Sequence, residues 1–311
     1  MELVSRHVDM IKSEVSGEVY VFGTENEALQ AQADGEVLFT WCGSGELPVE
    51  FCRRSKKLRW IHSFSAGVNP VFDTPIAEMP ILLTNGKGLH GKTMSVTATG
   101  YIISFLRGFP EYRRRQQAHV WNKHDVLLRE PDGLVVGIIG AGAIGSEVAR
   151  MAKALNMTVL GVKRKAEPLE NFDAVYPNTE MDKVLSMSDF VVILTPLTDE
   201  TYHLIDARRI AAMKPSAYLI NIARGQVVDT NALTEALRNG VIAGAALDAV
   251  DPEPLNADNP LWDMNNVIIT PHCSADSDVF MDHAVRQFCE NLKRYQNGEP
   301  LFNRIDLQKA Y

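Results

Sequence analysis

Three short blocks carry the residue types that acid–base work on a carboxylate needs. They are NIARGQVVDTNAL (221–233), ALDAVDPEPL (246–255) and NVIITPHCSA (266–275). Each grows out of an apolar run that reads as a strand, and open α/β sheets bind their ligands beyond the C-terminal ends of their strands. Together the blocks supply Arg224, Glu253 and His272. Histidine has an ordinary pKa of about 6.5, so both of its forms are accessible near neutrality. A carboxylate such as Glu253 on one ring nitrogen would fix the tautomer and stabilise the imidazolium. Arginine presents a planar fork that orients a carboxylate in a way a lone lysine does not. A single histidine after a strand is more often structural; the set of three is what points to chemistry.

A second constellation lies upstream. VVGIIGAGAIGSEVAR (135–150) places Gly140, Gly142 and Gly145 as GxGxxG, directly after an expected strand and opening an expected helix. The glycines permit a tight turn, close approach of a pyrophosphate and close helix–strand packing. The helix start at Ala143 and Ile144 then offers free N–H groups and a positive dipole end to the anion. The bland alternative is a tight turn with no ligand. About 20 residues beyond the first glycine, a dinucleotide site that prefers NAD carries an acid for the ribose 2′-hydroxyl. Here TVLGVKRKAEP (158–168) has Lys163, Arg164 and Lys165 instead. An acid would repel a 2′-phosphate and cations attract it. This favours NADP(H) over NAD(H), with Arg164 the expected phosphate contact, against the plainer reading of a solvated basic turn.

These sites need a scaffold, and the chain's organisation implies one. Apolar, β-branched runs recur at 19–22, 37–41, 59–64 and 81–85, and again at 134–140, 158–162, 190–195, 217–222, 244–248 and 266–270, separated by helical stretches. Nearly continuous hydrophobic strands alternating with helices predict parallel sheets covered on both faces. Each series makes one doubly wound α/β unit. Residues 91–105 read as a buried helix, followed by an exposed cationic stretch with a break at Pro110. The last helical pattern, roughly 276–296, ends at Asn297-Gly298.

The bulk composition narrows the partners. A 311-residue chain with 46% hydrophobic and 23% charged residues is an ordinary globular protein, and its net charge of −8 argues against nucleic acid or an anionic membrane as partner. No run approaches the roughly 20 apolar residues of a spanning helix, and the N-terminus shows no export signal. Four cysteines without a CxxC pair read as reduced thiols of a cytoplasmic protein with no metal site.

GAGAIG, LTPLTDET, NIARG, LDAVDPEPL and TPH, in this order and at these spacings, resemble the D-isomer-specific 2-hydroxyacid dehydrogenase family. The likeness covers most of residues 59–275, and FPEYRRRQQAHVW (109–121) is nearest the glyoxylate and hydroxypyruvate reductase branch. The resemblance implies an oxidoreductase of a small 2-oxo or 2-hydroxy acid. In it Arg224 binds substrate, His272 exchanges the proton and Glu253 is its paired acid. It further implies cofactor contacts from Thr195, Pro196, Ile222, Ala223 and Asp248; the plainer reading of Asp248 alone is a cap of a strand end or helix start. SAGVN (65–69) resembles the family's substrate loop, whose backbone at Gly67 and Val68 would hold the carboxylate. The implied architecture is a Rossmann cofactor domain (102–281) inserted in a flavodoxin-like substrate domain (1–101 plus 282–311), and the implied assembly is a homodimer. The alternative within the same fold is a nucleotide-sensing, corepressor-like binding protein. Formate oxidation is disfavoured, since it needs no proton shuttle. SVTAT (95–99) replaces the family's frequent SVAEH, and Asn69 its frequent Asp; Cys273 and Ser274 stand where smaller apolar residues or glycine are usual. His62 and His90 read as structural, and Trp121 and Trp262 as core or dimer-face aromatics.

Overall fold

The computed structural model describes residues 3–43, 45 and 47–307. In chain order the strands are β1 (Val37–Thr40), β2 (Trp60–Ser63), β3 (Leu82–Thr84), β4 (Val135–Ile139), β5 (Thr158–Val162) and β6 (Ala174–Tyr176). They continue with β7 (Phe190–Ile193), β8 (Tyr218–Asn221), β9 (Gly244–Leu247), β10 (Val267–Ile269) and β11 (Arg304–Ile305). They form two sheets in two compact units, one running to His90 and resuming at Ser277, the other Gly91–Asp276.

The first unit holds the sheet β1-β2-β3-β11, parallel except for the short antiparallel return of β11 against β3. Alternation along the strands divides its side chains between two cores. Leu38, Ile61 and Leu83 pack with Ala28, Phe51 and Cys52 on one face. Val37, Phe39, Trp60 and Leu82 pack with Phe280, Val285 and Phe288 of the helix Phe280–Gln296 on the other. That helix ends at Asn297, with Gly298 in the left-handed region (φ 69°), the usual stop. Residues 19–22, expected as a strand, join no ladder, and Tyr20 and Val21 are exposed.

The second unit is a seven-stranded, wholly parallel sheet of order β10-β9-β8-β7-β4-β5-β6. The order reverses at β4, which places a switch point at the loop that follows it. Val191 and Ile193 face one core with the helices Met181–Met187 and Thr230–Arg238. Phe190 and Val192 face the other with the helices Gly91–Leu106 and Ala143–Ala154. The whole of Gly91–Leu106 packs along Ala143–Ala154, so the unit begins at Gly91 and not in the middle of this helix, as the expected boundary of 101/102 would have it. The whole of Phe280–Gln296 likewise belongs to the first unit, where 281/282 had been expected as the division. The expected break falls at Gly108 (φ 62°), leaving Pro110 in the first turn of the helix Phe109–Gln117, where its missing N–H costs nothing. Trp121 and Trp262 are exposed and belong to neither core.

His62 belongs to the first unit's core, among the rings of Phe39, Trp60 and Phe288. Its Nδ1 lies 2.7 Å from Thr84 Oγ1, which also accepts from Trp60 Nε1 at 2.9 Å. Burial pulls its pKa down to about 4. Between pH 6.5 and pH 4 the unfolded chain therefore binds a proton that the folded chain does not, and stability falls as pH falls. Urea denaturation should show His62→Leu losing about 2 kcal/mol less stability than wild type between pH 7 and pH 5. Equal losses would contradict this account of His62.

Candidate active site

The glycine turn joins β4 to the helix Ala143–Ala154 at the switch point. Gly140 adopts φ 104°, a conformation that L side chains rarely take, and its N–H donates to Val162 O at the end of β5 (3.0 Å). A Cβ at Gly145 would sit 2.7 Å from Gly140 O, so this glycine serves helix–strand packing. A Cβ at Gly142 would meet nothing within 4 Å, so protein packing does not require glycine there; close approach of a ligand would. The helix has no side-chain cap, which leaves the N–H groups of Ala143, Ile144 and Gly145 for an anion. Beyond β7, Thr195 Oγ1 is buried with no hydrogen-bond partner among the described residues, a polar atom that a bound group would satisfy. Pro196, next to it, accepts from Thr201 Oγ1 through its carbonyl (2.6 Å). These features fit a dinucleotide.

Lys163 directly follows β5 and pairs with Glu167 (3.0 Å). Arg164 and Lys165 are exposed and form no ion pair among the described residues. Both lie one turn of chain from Val162, the residue that receives the glycine loop.

The three chemical blocks leave the adjacent strands β8, β9 and β10, and two buried polar residues tie them together. Asn221 ends β8: its Nδ2 donates to Arg224 O (3.0 Å) and Ala249 O (3.2 Å), and its Oδ1 accepts from Ala223 N (3.1 Å). Gly225 is pressed against the second block so closely that a Cβ would fall 1.8 Å from Val250 O. Gln226 Nε2 adds a bond to Asp251 Oδ1 (3.1 Å). Arg224 itself is exposed, with one guanidinium nitrogen on Ala223 O (2.7 Å) and its other donors directed to no protein acceptor among the described residues.

Asp248 directly follows β9, is 1% exposed and holds the third block. Its Oδ1 accepts from Thr270 Oγ1 (2.5 Å) and Cys273 N (2.9 Å), its Oδ2 from Ser274 N (2.9 Å), and its backbone carbonyl from His272 N (2.9 Å). Burial pushes this carboxyl up, but the bonds from Ser274, Thr270 and Cys273 outweigh it and leave the pKa lowered. Burial, then the charge of Asp248, raises the Cys273 thiol. So held, His272 takes φ 51°, an uncommon setting for a non-glycine residue, and its Nδ1 lies 2.7 Å from Glu253 Oε1. An ionised carboxylate only accepts, so Nδ1 carries the proton and Nε2 is the nitrogen left for a substrate.

The second unit thus brings together Arg224, Glu253, His272 and Asp248. Ile222 and Ala223 turn their side chains into its cores, so only their backbone atoms can meet a ligand. Gly67 and Val68 belong to the first unit, just before the short helix Asn69–Phe72, and their N–H groups donate to no acceptor among the described residues. His62 and His90 also belong there, His90 stacked on Phe280. Sequence reasoning missed Asn221, Gly225 and Thr270. The signal for Asn221 was a polar residue ending an apolar strand, and for Gly225 a glycine next to the candidate substrate-binding arginine. Among the described residues no group of three His, Cys, Asp or Glu side chains is placed to hold a metal ion.

The family model for the D-isomer specific 2-hydroxyacid dehydrogenase NAD binding domain matches residues 99–274. A glyoxylate reductase from Pyrococcus horikoshii is 33% identical over 296 residues, spanning 91% of this chain and 87% of that protein. A D-isomer specific 2-hydroxyacid dehydrogenase family protein from Aeromonas salmonicida superposes with a TM-score of 0.87 at 32% identity, over 97% and 96% of the two chains. An NADPH-dependent glyoxylate/hydroxypyruvate reductase from Sinorhizobium meliloti, solved with NADP and sulfate, gives 0.83 at 25% identity, over 100% and 98%. With the glycine turn at the switch point and the histidine–glutamate pair beyond the strand ends, these likenesses establish that the chain belongs to the D-isomer specific 2-hydroxyacid dehydrogenase family of NAD(P)-dependent oxidoreductases.

Proposed function

We propose that the protein reduces a small 2-oxo acid, such as glyoxylate or hydroxypyruvate, to the D-2-hydroxy acid and prefers NADPH to NADH. The observation that carries this reading is the His272–Glu253 pair at 2.7 Å, in the same unit as the glycine turn. When bound, the reduced nicotinamide supplies a hydride to the carbonyl carbon. His272 gives the proton on Nε2 to the carbonyl oxygen as that oxygen gains the electron pair of the double bond. Glu253 stabilises the imidazolium beforehand and keeps Nδ1 protonated afterwards. Arg224, with donors to spare, binds the substrate carboxylate and polarises the oxo group. The resemblance adds the backbone N–H groups of Gly67 and Val68 as carboxylate donors.

The dinucleotide would be held by the N–H groups of the Gly140–Gly145 turn and by Thr195, with Pro196, Ile222, Ala223 and Asp248 as the further contacts that the resemblance implies. Preference for the 2′-phosphate rests on the cations after β5. Lys163 is partly neutralised by Glu167, which leaves Arg164, beside Lys165, as the principal contact. The relative from Sinorhizobium meliloti, described as NADPH-dependent, supports the same choice. The reading also makes the protein a homodimer, as the resemblance implies, and a cytoplasmic one, as its cysteines without a CxxC pair imply; among the described residues no helix is long and apolar enough to cross a membrane.

His272→Ala should lower kcat for glyoxylate or hydroxypyruvate reduction by about 10³-fold, within the usual range for loss of a general acid. NADPH binding, followed by fluorescence titration, should stay within about twofold of wild type, since the altered group serves the proton transfer. Retained turnover would remove His272 from the proton-donating role. In the same titration Arg164→Ala should raise the Kd for NADPH by about tenfold, the scale of one lost charge-assisted bond, and leave NADH nearly unchanged. Equal weakening of both cofactors would reject the 2′-phosphate contact.

A further inference from the structure

The helix Gly91–Leu106 touches the His272 loop on both sides of the histidine. Two residues before it, Tyr101 Oη lies 2.6 Å from Thr270 Oγ1; two residues after it, Thr97 Oγ1 lies 3.3 Å from Ser274 O and the same distance from Thr93 O of its own helix. The first contact has a defined direction. Thr270 Oγ1 has a single proton, and Asp248 Oδ1 at 2.5 Å, an acceptor only, takes it. Thr270 must therefore accept from Tyr101, and the chain runs Tyr101 O–H to Thr270 O–H to Asp248 carboxylate. Tyr101 is 6% exposed, and burial pushes its pKa up to about 12, so it remains the donor at every pH at which the protein would work. The carboxylate at the end of the chain also receives Cys273 N and Ser274 N, and the Asp248 carbonyl receives His272 N. Tyr101 and Thr270 are assigned no contact with substrate or cofactor.

We propose that Tyr101 is a positioning residue for His272, acting through Thr270 and Asp248. It completes the set of bonds that holds His272 at φ 51° with Nδ1 on Glu253. Without the tyrosine hydroxyl, the half-buried Thr270 oxygen is left with an unfilled acceptor site. Thr270 is then free to turn, its bond to Asp248 loosens, and the left-handed backbone at His272 loses one of its restraints. The consequence falls on the geometry of proton donation; the Asp248 carboxylate keeps its bonds from Cys273 N and Ser274 N, so the cofactor contact proposed for it is little changed. The proposal rests on the acid role assigned to His272.

The test compares Tyr101→Phe, Thr270→Val, Thr270→Ser and His272→Ala in NADPH-dependent reduction of glyoxylate, with Kd for NADPH measured separately by fluorescence. Tyr101→Phe should lower kcat by about fivefold and Thr270→Val by about 30-fold, the scale on which misplaced catalytic groups act. Both should leave KM and the NADPH Kd within about twofold of wild type, because Asp248 stays anchored by Cys273 N and Ser274 N while the transition-state geometry changes. Thr270→Ser, which keeps the hydroxyl, should restore most of the lost kcat. Tyr101→Phe added to Thr270→Val should cost little more than Thr270→Val alone, since the two act through one chain. Wild-type kcat in Tyr101→Phe with an inactive His272→Ala would overturn the positioning role alone; so would loss of kcat that Thr270→Ser fails to restore, or losses that simply multiply in the double variant. An active His272→Ala would overturn the acid role instead. If Tyr101→Phe does not fold, the Thr270→Val and Thr270→Ser pair decides by the same criteria.

Discussion

The Asp248 carboxylate is the interaction on which the site depends. It is a buried charge, and a buried charge is tolerated only with its lone pairs filled. Thr270, Cys273 and Ser274 fill them, so the stability of this one group is inseparable from the conformation of the loop that carries His272. The same residue's carbonyl holds His272 N, and the histidine is kept in a left-handed backbone setting it would not choose alone. Placement of the histidine against Glu253 follows from how a carboxylate at the end of β9 satisfies itself.

Sheet order explains why such local bonding is enough. β8, β9 and β10 are neighbours, so the blocks that leave their ends need only short side chains to reach one another. Asn221 ties the first block to the second, and Asp248 ties the second to the third. Gly225 lets the first two backbones meet at a distance no side chain would allow. On the other side of β7, β4 delivers the glycine turn at the point where strand order reverses. A single parallel sheet thus presents the uncapped helix start and the histidine–glutamate pair along one edge.

Much of this was legible in the residues, for reasons that differ from part to part. The glycine turn could be read because each glycine answers a separate steric demand, and those demands recur wherever a pyrophosphate meets a helix. That Arg224, Glu253 and His272 come together in one unit could be anticipated because few residue types suit the chemistry proposed for them. The strands of the second unit could be read because a sheet buried on both faces needs unbroken apolar runs. Residues 19–22 misled for the same reason: VYVF has strand composition, but composition says nothing about whether a neighbouring edge is available. The start of the second unit was displaced because Gly91–Leu106 is apolar along its whole length, which leaves no change of character to mark where one unit gives way to the next. Thr270 and Tyr101 left no signal, because a buried hydroxyl's value lies in a partner remote in sequence.

The proposed function joins the cations after β5 to the histidine–glutamate pair: it has a phosphorylated dinucleotide bound where a 2-oxo acid can be protonated. The most direct measurement is a panel of glyoxylate, hydroxypyruvate and phenylpyruvate, run with NADPH and with NADH and followed at the nicotinamide absorbance. The account predicts oxidation of NADPH with at least one of the three acids, at a kcat/KM for NADPH above that for NADH. Tight NADPH binding with no consumption by any acid would contradict it.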